Sequence, residues 1–246
     1  MNADAFVRQR ALAGFGPERQ EALSRARVAV VGVGGLGCPA AMYLAAAGVG
    51  HLTLIDSDHV SVTNLHRQVL FGPDDVGRLK VDAAAEALAR IAPGAEVAAV
   101  RHRIGADAEH VLAGHDVILD GTDSWPSRFA INDAALALGI PLVWGAVSGW
   151  FGQVTVFDGE RSLRDLFREE SVDAFDACDG GVLGPLCGHV GSAMAMQAIV
   201  QLTGAGPGLA GRLHVIDARE GVWRTIPLGA PTRVGGPNHA EAPVRA

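Results

Sequence analysis

Apolar residues first cluster in a short valine-rich run, RVAVVGVG at 27–34, followed by a glycine-rich turn and an alanine-rich stretch that ends near Gly48. A run that is apolar at nearly every position fits a strand buried on both faces, as in a parallel sheet. The alanine-rich stretch fits a helix, and Gly48 can take the left-handed conformation that closes one. HLTLID at 51–56 predicts a second strand, and KVDAAAEALARI at 80–91 predicts a helix stopped by Pro93 and Gly94. AEVAAV, DVILD and IPLVWGAV predict further strands, with helices at 107–114 and from about Trp125 to Leu138. Strands and helices alternating at this spacing predict an α/β fold: a Rossmann-like, doubly wound, mainly parallel sheet.

The second half changes pattern. GQVTVFD, GRLHVIDA and GVWRTIPL read as strands joined more directly, so an antiparallel C-terminal extension is expected. A polar, acidic stretch at 158–179 shows weak periodicity, as a functional crossover would, and an apolar helix is expected from about Gly188 to Leu202. Residues 1–26 read as an N-terminal arm with a helix, and 27–228 as a single domain. The Pro- and Gly-rich segment 229–246 reads as a disordered tail.

Composition narrows the function classes. With 49% hydrophobic and 19% charged residues, a chain of 246 residues can bury one large core. A formal charge of −7 disfavours nucleic acid as the main partner, so any anion site must be local. Residues 28–50 carry no charge, but six glycines and Pro39 make them strand, turn and helix rather than a membrane span. Cys38, Cys178 and Cys187 form no CxxC pair, and the N-terminus has no apolar signal-peptide core. A cytoplasmic protein is expected.

The first candidate chemistry is Gly32-Val33-Gly34-Gly35-Leu36-Gly37, between a strand and a helix. Glycines there let backbone N–H groups approach a phosphate at the positive end of the helix. Asp56, closing the second strand, stands where a carboxylate accepts hydrogen bonds from ribose hydroxyls. These features suit any nucleotide, a nicotinamide dinucleotide included. The next segment, IDSDHVSVTNLHRQVLFGPDDVGRLK, favours a triphosphate, because it adds Asp58, Asn64, Arg67, Gln68 and Lys80. Arg67 offers a planar fork of donors and Lys80 a point charge. Asn64 and Gln68 could equally serve loop and cap hydrogen bonds, and His66 is assigned no role. DGTDS at 120–124 follows another strand, where ligands of open α/β sheets sit. Asp123 is the expected Mg²⁺ carboxylate, with helix capping as the alternative, and Arg128 either braces the site or pairs with an acid.

Together, VGVGGLG, IDSDHVSVTNLHRQ, GRLK, DGTDS and GVLGPLCGHVGSAMAMQAI resemble the ubiquitin-activating-enzyme-like superfamily. The similar bacterial branches are the molybdopterin-synthase and thiamine sulfur-carrier adenylyltransferases, and the resemblance covers roughly residues 6 to 228. It implies ATP on the glycine-rich loop, served by Asp56, Asn64, Arg67, Lys80 and Asp123. It also implies a carrier of ubiquitin fold ending in Gly-Gly, whose C-terminal carboxylate is adenylylated. FVRQ resembles the family's N-terminal arm, which implies a homodimer with Arg8 acting on the partner's ATP. Cys178 matches a cysteine that bonds to the carrier in thiamine-branch enzymes. The paired cysteines of the family's structural zinc are absent, the first falling on RSLRDL at 161–166, so no zinc site is expected. Ser124 stands where asparagine is usual, and sulfur is expected from a separate donor. A nicotinamide oxidoreductase, a non-catalytic docking scaffold, and an adenylyltransferase for a peptide or tRNA carboxylate remain the alternatives.

Overall fold

The computed structural model describes residues 3–172 and 181–229. An N-terminal arm holds helices α1 (Val7–Arg10) and α2 (Gly16–Arg25). There follow β1 (Arg27–Val31), α3 (Gly37–Ala46), β2 (His51–Asp56), α4 (Lys80–Ile91), β3 (Glu96–Arg101), α5 (Ala108–Leu112), β4 (Val117–Asp120) and α6 (Trp125–Leu138). The second half contains β5 (Leu142–Ser148), β6 (Phe151–Phe157), α7 (Leu163–Leu166), α8 (Glu169–Val172), α9 (Gly184–Thr203), β7 (Arg212–Asp217) and β8 (Val222–Pro227).

All eight strands form one sheet in the order β3-β2-β1-β4-β5-β6-β7-β8. Pairing is parallel from β3 through β5 and antiparallel from β5 to β8. The expected architecture is therefore present. The chain order reverses between β1 and β4, where an open α/β sheet leaves a crevice beyond its strand ends. The charge-free stretch 28–50 is β1, a turn and α3, and among the described residues no helix is long and apolar enough to cross a membrane.

Side chains alternate between two cores. Val28, Val30, Leu52, Leu54 and Val154 join α3, α4 and α9 on one face. Ala29, Val31, Ile55, Ile118 and Trp144 join α5 and α6 on the other. The helix expected from Gly188 starts one turn earlier at Gly184, because Pro185 pre-sets the first helical turn and needs no N–H partner there. The acidic crossover is partly ordered into α7 and α8, while Cys178 and the tail from residue 230 lie outside the described residues.

RSLRDL, where the resemblance places cysteines, is held by polar contacts instead. Ser162 and Asp165 form a capping box at the start of α7. Asn132 Oδ1 accepts the Leu163 N–H at 2.7 Å. Arg164 grips both Asp133 oxygens, at 2.9 and 2.7 Å, and reaches Glu169 at 2.7 Å. The guanidinium holds the Asp133 carboxyl below the usual carboxylate range. A depressed acid stabilises the fold fully above its unfolded pKa near 4 and loses that contribution as pH falls through its lower folded value. Both partners are about half exposed, so the pair is worth about 1 kcal/mol or less. Asp133→Ala should therefore lower the melting temperature slightly at pH 7, and the gap should close below about pH 4. A gap of equal size at pH 7 and pH 3 would exclude the ion pair as its source.

Candidate active site

Two backbone turns meet at the switch point. After β1, the Gly32 N–H donates to the Ile55 carbonyl at 2.8 Å, and after β4 the Gly121 N–H donates to the Val31 carbonyl at 2.9 Å. Gly32 sits at φ +84°, and a Cβ on it would lie 2.8 Å from the Gly121 carbonyl oxygen. A Cβ on Gly37 would lie only 1.9 Å from the Gly32 carbonyl oxygen. Both contacts are with backbone, which cannot swing aside, so only glycine allows the turn to close onto the start of α3.

The pocket above these turns encloses about 240 Å³. Gly32, Gly34, Gly35, Asp56, Asp58, Arg67, Gln68, Lys80 and Asp123 all line it, so most of the residues singled out from sequence come together there. Three do not. Gly37 acts by close approach beneath the turn. Asn64 lies outside the lining and its side chain accepts the Ser61 N–H at 3.2 Å, which is a capping role. Arg8 sits on the arm, and the arm packs at the far end of α3, with the Gln9 amide donating to the Ala47 carbonyl at 2.9 Å. Ten residues of helix separate that end from the glycine turn, about 15 Å.

Asp56 accepts the Val33 N–H on one oxygen and the Asp58 N–H on the other, both at 2.8 Å. It thereby fastens the glycine turn to the end of β2, and its remaining lone pairs can still receive hydroxyl donors. The long β2–α4 connection folds back on itself, with Val60 N–H to the Arg78 carbonyl and Lys80 N–H to the Asp58 carbonyl. That closure carries Arg67 and Lys80 to the pocket. Lys80 is only 7% exposed, and its ammonium lies 3.1 Å from Asp58. A charge so buried needs a counter-ion, and Asp58 supplies it until an anionic ligand arrives. Arg67 rests against its own turn, donating to the Thr63 carbonyl at 3.0 Å. Gln68 is buried, and its side-chain oxygen has no hydrogen-bond partner among the described residues, an acceptor that a ligand donor would satisfy.

Ser124, not Asp123, occupies the N-cap position of α6, so Asp123 is left facing the pocket. Sequence inspection passed over Arg103, Ile104 and Ser127, which also line it. Arg103 follows β3, and its guanidinium approaches Asp58 at 3.5 Å. β3 is the edge strand, two places from the β1–β4 switch point, so nothing in the local sequence marked Arg103 as pocket lining. Cys187 is buried under Gly35, with burial pushing its thiol pKa up against the opposing charge of Arg67, and Cys38 is pushed up to about 12. Neither is an activated nucleophile. The lining holds four permanent cations, Arg67, Lys80, Arg103 and Arg128, against three carboxylates. In a chain of net charge −7 this gathers cations in one place, with Arg128 also facing the buried carboxyl of Asp120.

A glycine-turn nucleotide pocket with a cationic wall at a switch point defines a nucleotide-handling α/β enzyme. The chain belongs to the ThiF family, whose model matches residues 6–235. It is 43% identical over 227 residues to the molybdopterin-synthase adenylyltransferase of Escherichia coli K12, covering 91% of each chain. It is 42% identical to the sulfur carrier protein adenylyltransferase of Thermus thermophilus, covering 91% of this chain and 86% of that one. With relatives of this kind it is an enzyme of the nucleotidyltransferase class. Among solved structures, E. coli MccB crystallised with ATP superposes with a TM-score of 0.79 over 87% of this chain and 67% of its own, at 20% identity, which speaks for the fold.

Replacing Gly37 by alanine places a methyl group against the Gly32 carbonyl. The expected cost is about 1–3 kcal/mol, or several degrees in melting temperature for a domain of this size. Calorimetry of Gly37→Ala that matched the unsubstituted chain would show that the turn has room to spare.

Proposed function

We propose that this protein adenylylates the C-terminal carboxylate of a small ubiquitin-fold sulfur-carrier protein, using ATP and releasing pyrophosphate. One observation carries the reading most: Arg67 and Lys80 from the β2–α4 connection share a pocket with Asp123 from the β4–α6 turn, beside the glycine loop. A dinucleotide needs little beyond backbone donors and a helix dipole, whereas a triphosphate met by a second anion needs this density of positive charge.

The attacking carboxylate has a reference pKa near 4 and is already ionised at neutral pH, so no general base is required. The obstacle is repulsion: two unit charges at about 4 Å oppose each other by roughly 4 kcal/mol at an effective dielectric of 20. Backbone donors of the glycine loop hold the phosphates, Asp56 takes the ribose hydroxyls, and Arg67 and Lys80 offset the charge of both reactants. The carboxylate oxygen bonds to the α-phosphorus as the bond to the bridging oxygen of pyrophosphate breaks. The acyl-adenylate that results is ready for a sulfur nucleophile. Catalysis here is positioning plus electrostatics.

Asp123 is the residue that would hold Mg²⁺. Among the described residues no cluster of three or more metal-binding side chains exists. That sparse donor set suits Mg²⁺, which takes one or two carboxylates and otherwise waters and phosphate oxygens. Bound there, Mg²⁺ would neutralise phosphate charge. Arg8 cannot serve its own pocket from the far end of α3, which supports a homodimer in which each arm crosses to the partner's site. ATP as co-substrate and the free thiols of Cys38 and Cys187 fit a cytoplasmic setting. The carrier's Gly-Gly tail brings its carboxylate to the glycine loop, and Cys178 is the candidate thiol for a covalent link to the carrier.

Arg67→Ala and Asp123→Ala should each lower carrier-dependent ATP–pyrophosphate exchange by about 10²-fold or more while leaving the melting temperature within a few degrees. Near-normal exchange in both would end this reading. Arg8→Ala and Asp123→Ala subunits, each inactive alone, should recover about a quarter of full activity when mixed, because half of the two-fold dimers then contain one intact site. No recovery on mixing would place Arg8 outside the partner's site.

A further inference from the structure

We infer that Arg128, together with Asp120, is a positioning residue that sets the direction of the Asp123 carboxylate; this rests on the role of Asp123 given above. Thr122, the residue before Asp123, is held from both sides. Asp120 Oδ1 accepts the Thr122 N–H at 2.9 Å and its hydroxyl at 2.7 Å. Arg128 donates to the Thr122 carbonyl through Nε at 3.1 Å and Nη2 at 2.8 Å. The first set pins the Gly121–Thr122 peptide plane and the second pins the Thr122–Asp123 plane. With both planes fixed, the N and Cα of Asp123 are held in place at the pocket wall, and only rotation within Asp123 itself is left to set where its carboxylate goes.

The clamp is built rather than incidental. Asp120 is fully buried and Arg128 is 5% exposed, so each charge depends on its surroundings. Burial pushes the Asp120 carboxyl up, and the charge of Arg128 acts to keep it ionised. The guanidinium lies 5.0 Å from the Trp125 ring centre and 5.7 Å from that of Trp144, two indoles that fix its plane by cation–π attraction. Phe167, just beyond α7, packs on both indoles at 5.0 and 5.6 Å between ring centres. The start of the crossover is thus seated on the box that holds Arg128. A lysine at 128 keeps the buried charge opposite Asp120 but has no planar fork with which to orient a peptide plane.

Arg128→Lys separates positioning from structure. Melting temperature, ATP binding by calorimetry in EDTA, and the Mg²⁺ dependence of both ATP binding and pyrophosphate exchange are measured for Arg128→Lys and Asp123→Asn. For Arg128→Lys the expected result is an unchanged melting temperature within a few degrees and metal-free ATP affinity within about twofold. Half-saturating Mg²⁺ should rise about tenfold, as when an outer partner of a metal ligand is lost. Should Arg128→Lys fail to fold, Thr122→Val, which removes only the hydroxyl bond to Asp120, should move half-saturating Mg²⁺ in the same direction by about threefold. If Asp123→Asn shifts the Mg²⁺ response and neither Arg128→Lys nor Thr122→Val does, the positioning role alone is overturned. An equal loss of ATP affinity in EDTA would also overturn it, by showing that Arg128 touches nucleotide directly. No shift in Asp123→Asn removes the metal role of Asp123, and this inference with it.

Discussion

Everything at the site depends on how closely two backbone turns approach each other. The turn after β1 and the turn after β4 touch through Gly32 and Gly121, with the start of α3 wedged beneath at Gly37. No side chain fits at either Gly32 or Gly37, so the contact is made by backbone alone. That closeness puts the N–H groups at the head of α3 beside the carboxylate that follows β4. Backbone N–H donors and the Asp123 carboxylate therefore share one crevice without any long-range folding of loops. It also explains why so much of the surrounding core is alanine and valine, since α3 must lie flat against β1 and α9.

Electrostatics then gives the crevice its selectivity. An acidic chain repels anions at a distance, yet the lining gathers Arg67, Lys80, Arg103 and Arg128 in one place. Lys80 is too buried to stand alone, and Asp58 supplies its counter-charge at 3.1 Å. Arg128 is used differently. Its charge faces a fully buried aspartate, and its Nε and Nη2 both donate to the Thr122 carbonyl.

Much of this was legible beforehand. The bounds of α4 and α6 coincide with the periodic runs at 80–91 and 125–138, because a stop at Pro93 and a cap before Trp125 are local features. The glycine motif, Asp56 and Asp123 could be picked out because each lies at the carboxyl end of a strand or just after one, and Arg67 and Lys80 because they are cations in the connection that follows β2. Arg103 could not be distinguished from any surface arginine until β3 was seen beside β2. Asn64 could be read as a ligand or as a cap, and its side chain accepts the Ser61 N–H, a contact that spacing alone does not reveal.

The order of residues by itself determined the α/β class, the strand–turn–helix that cradles phosphate, and the types of charged group brought near it. These follow from periodicity, glycine placement and chain ends of strands, which act over a few residues. Only the tertiary structure decided which charges face each other. Pairing Lys80 with Asp58, setting Arg128 against the Trp144 ring, and keeping Arg8 a helix length from its own pocket all depend on elements distant in the chain. Burial sets the strength of such contacts, and burial is a property of the packed whole.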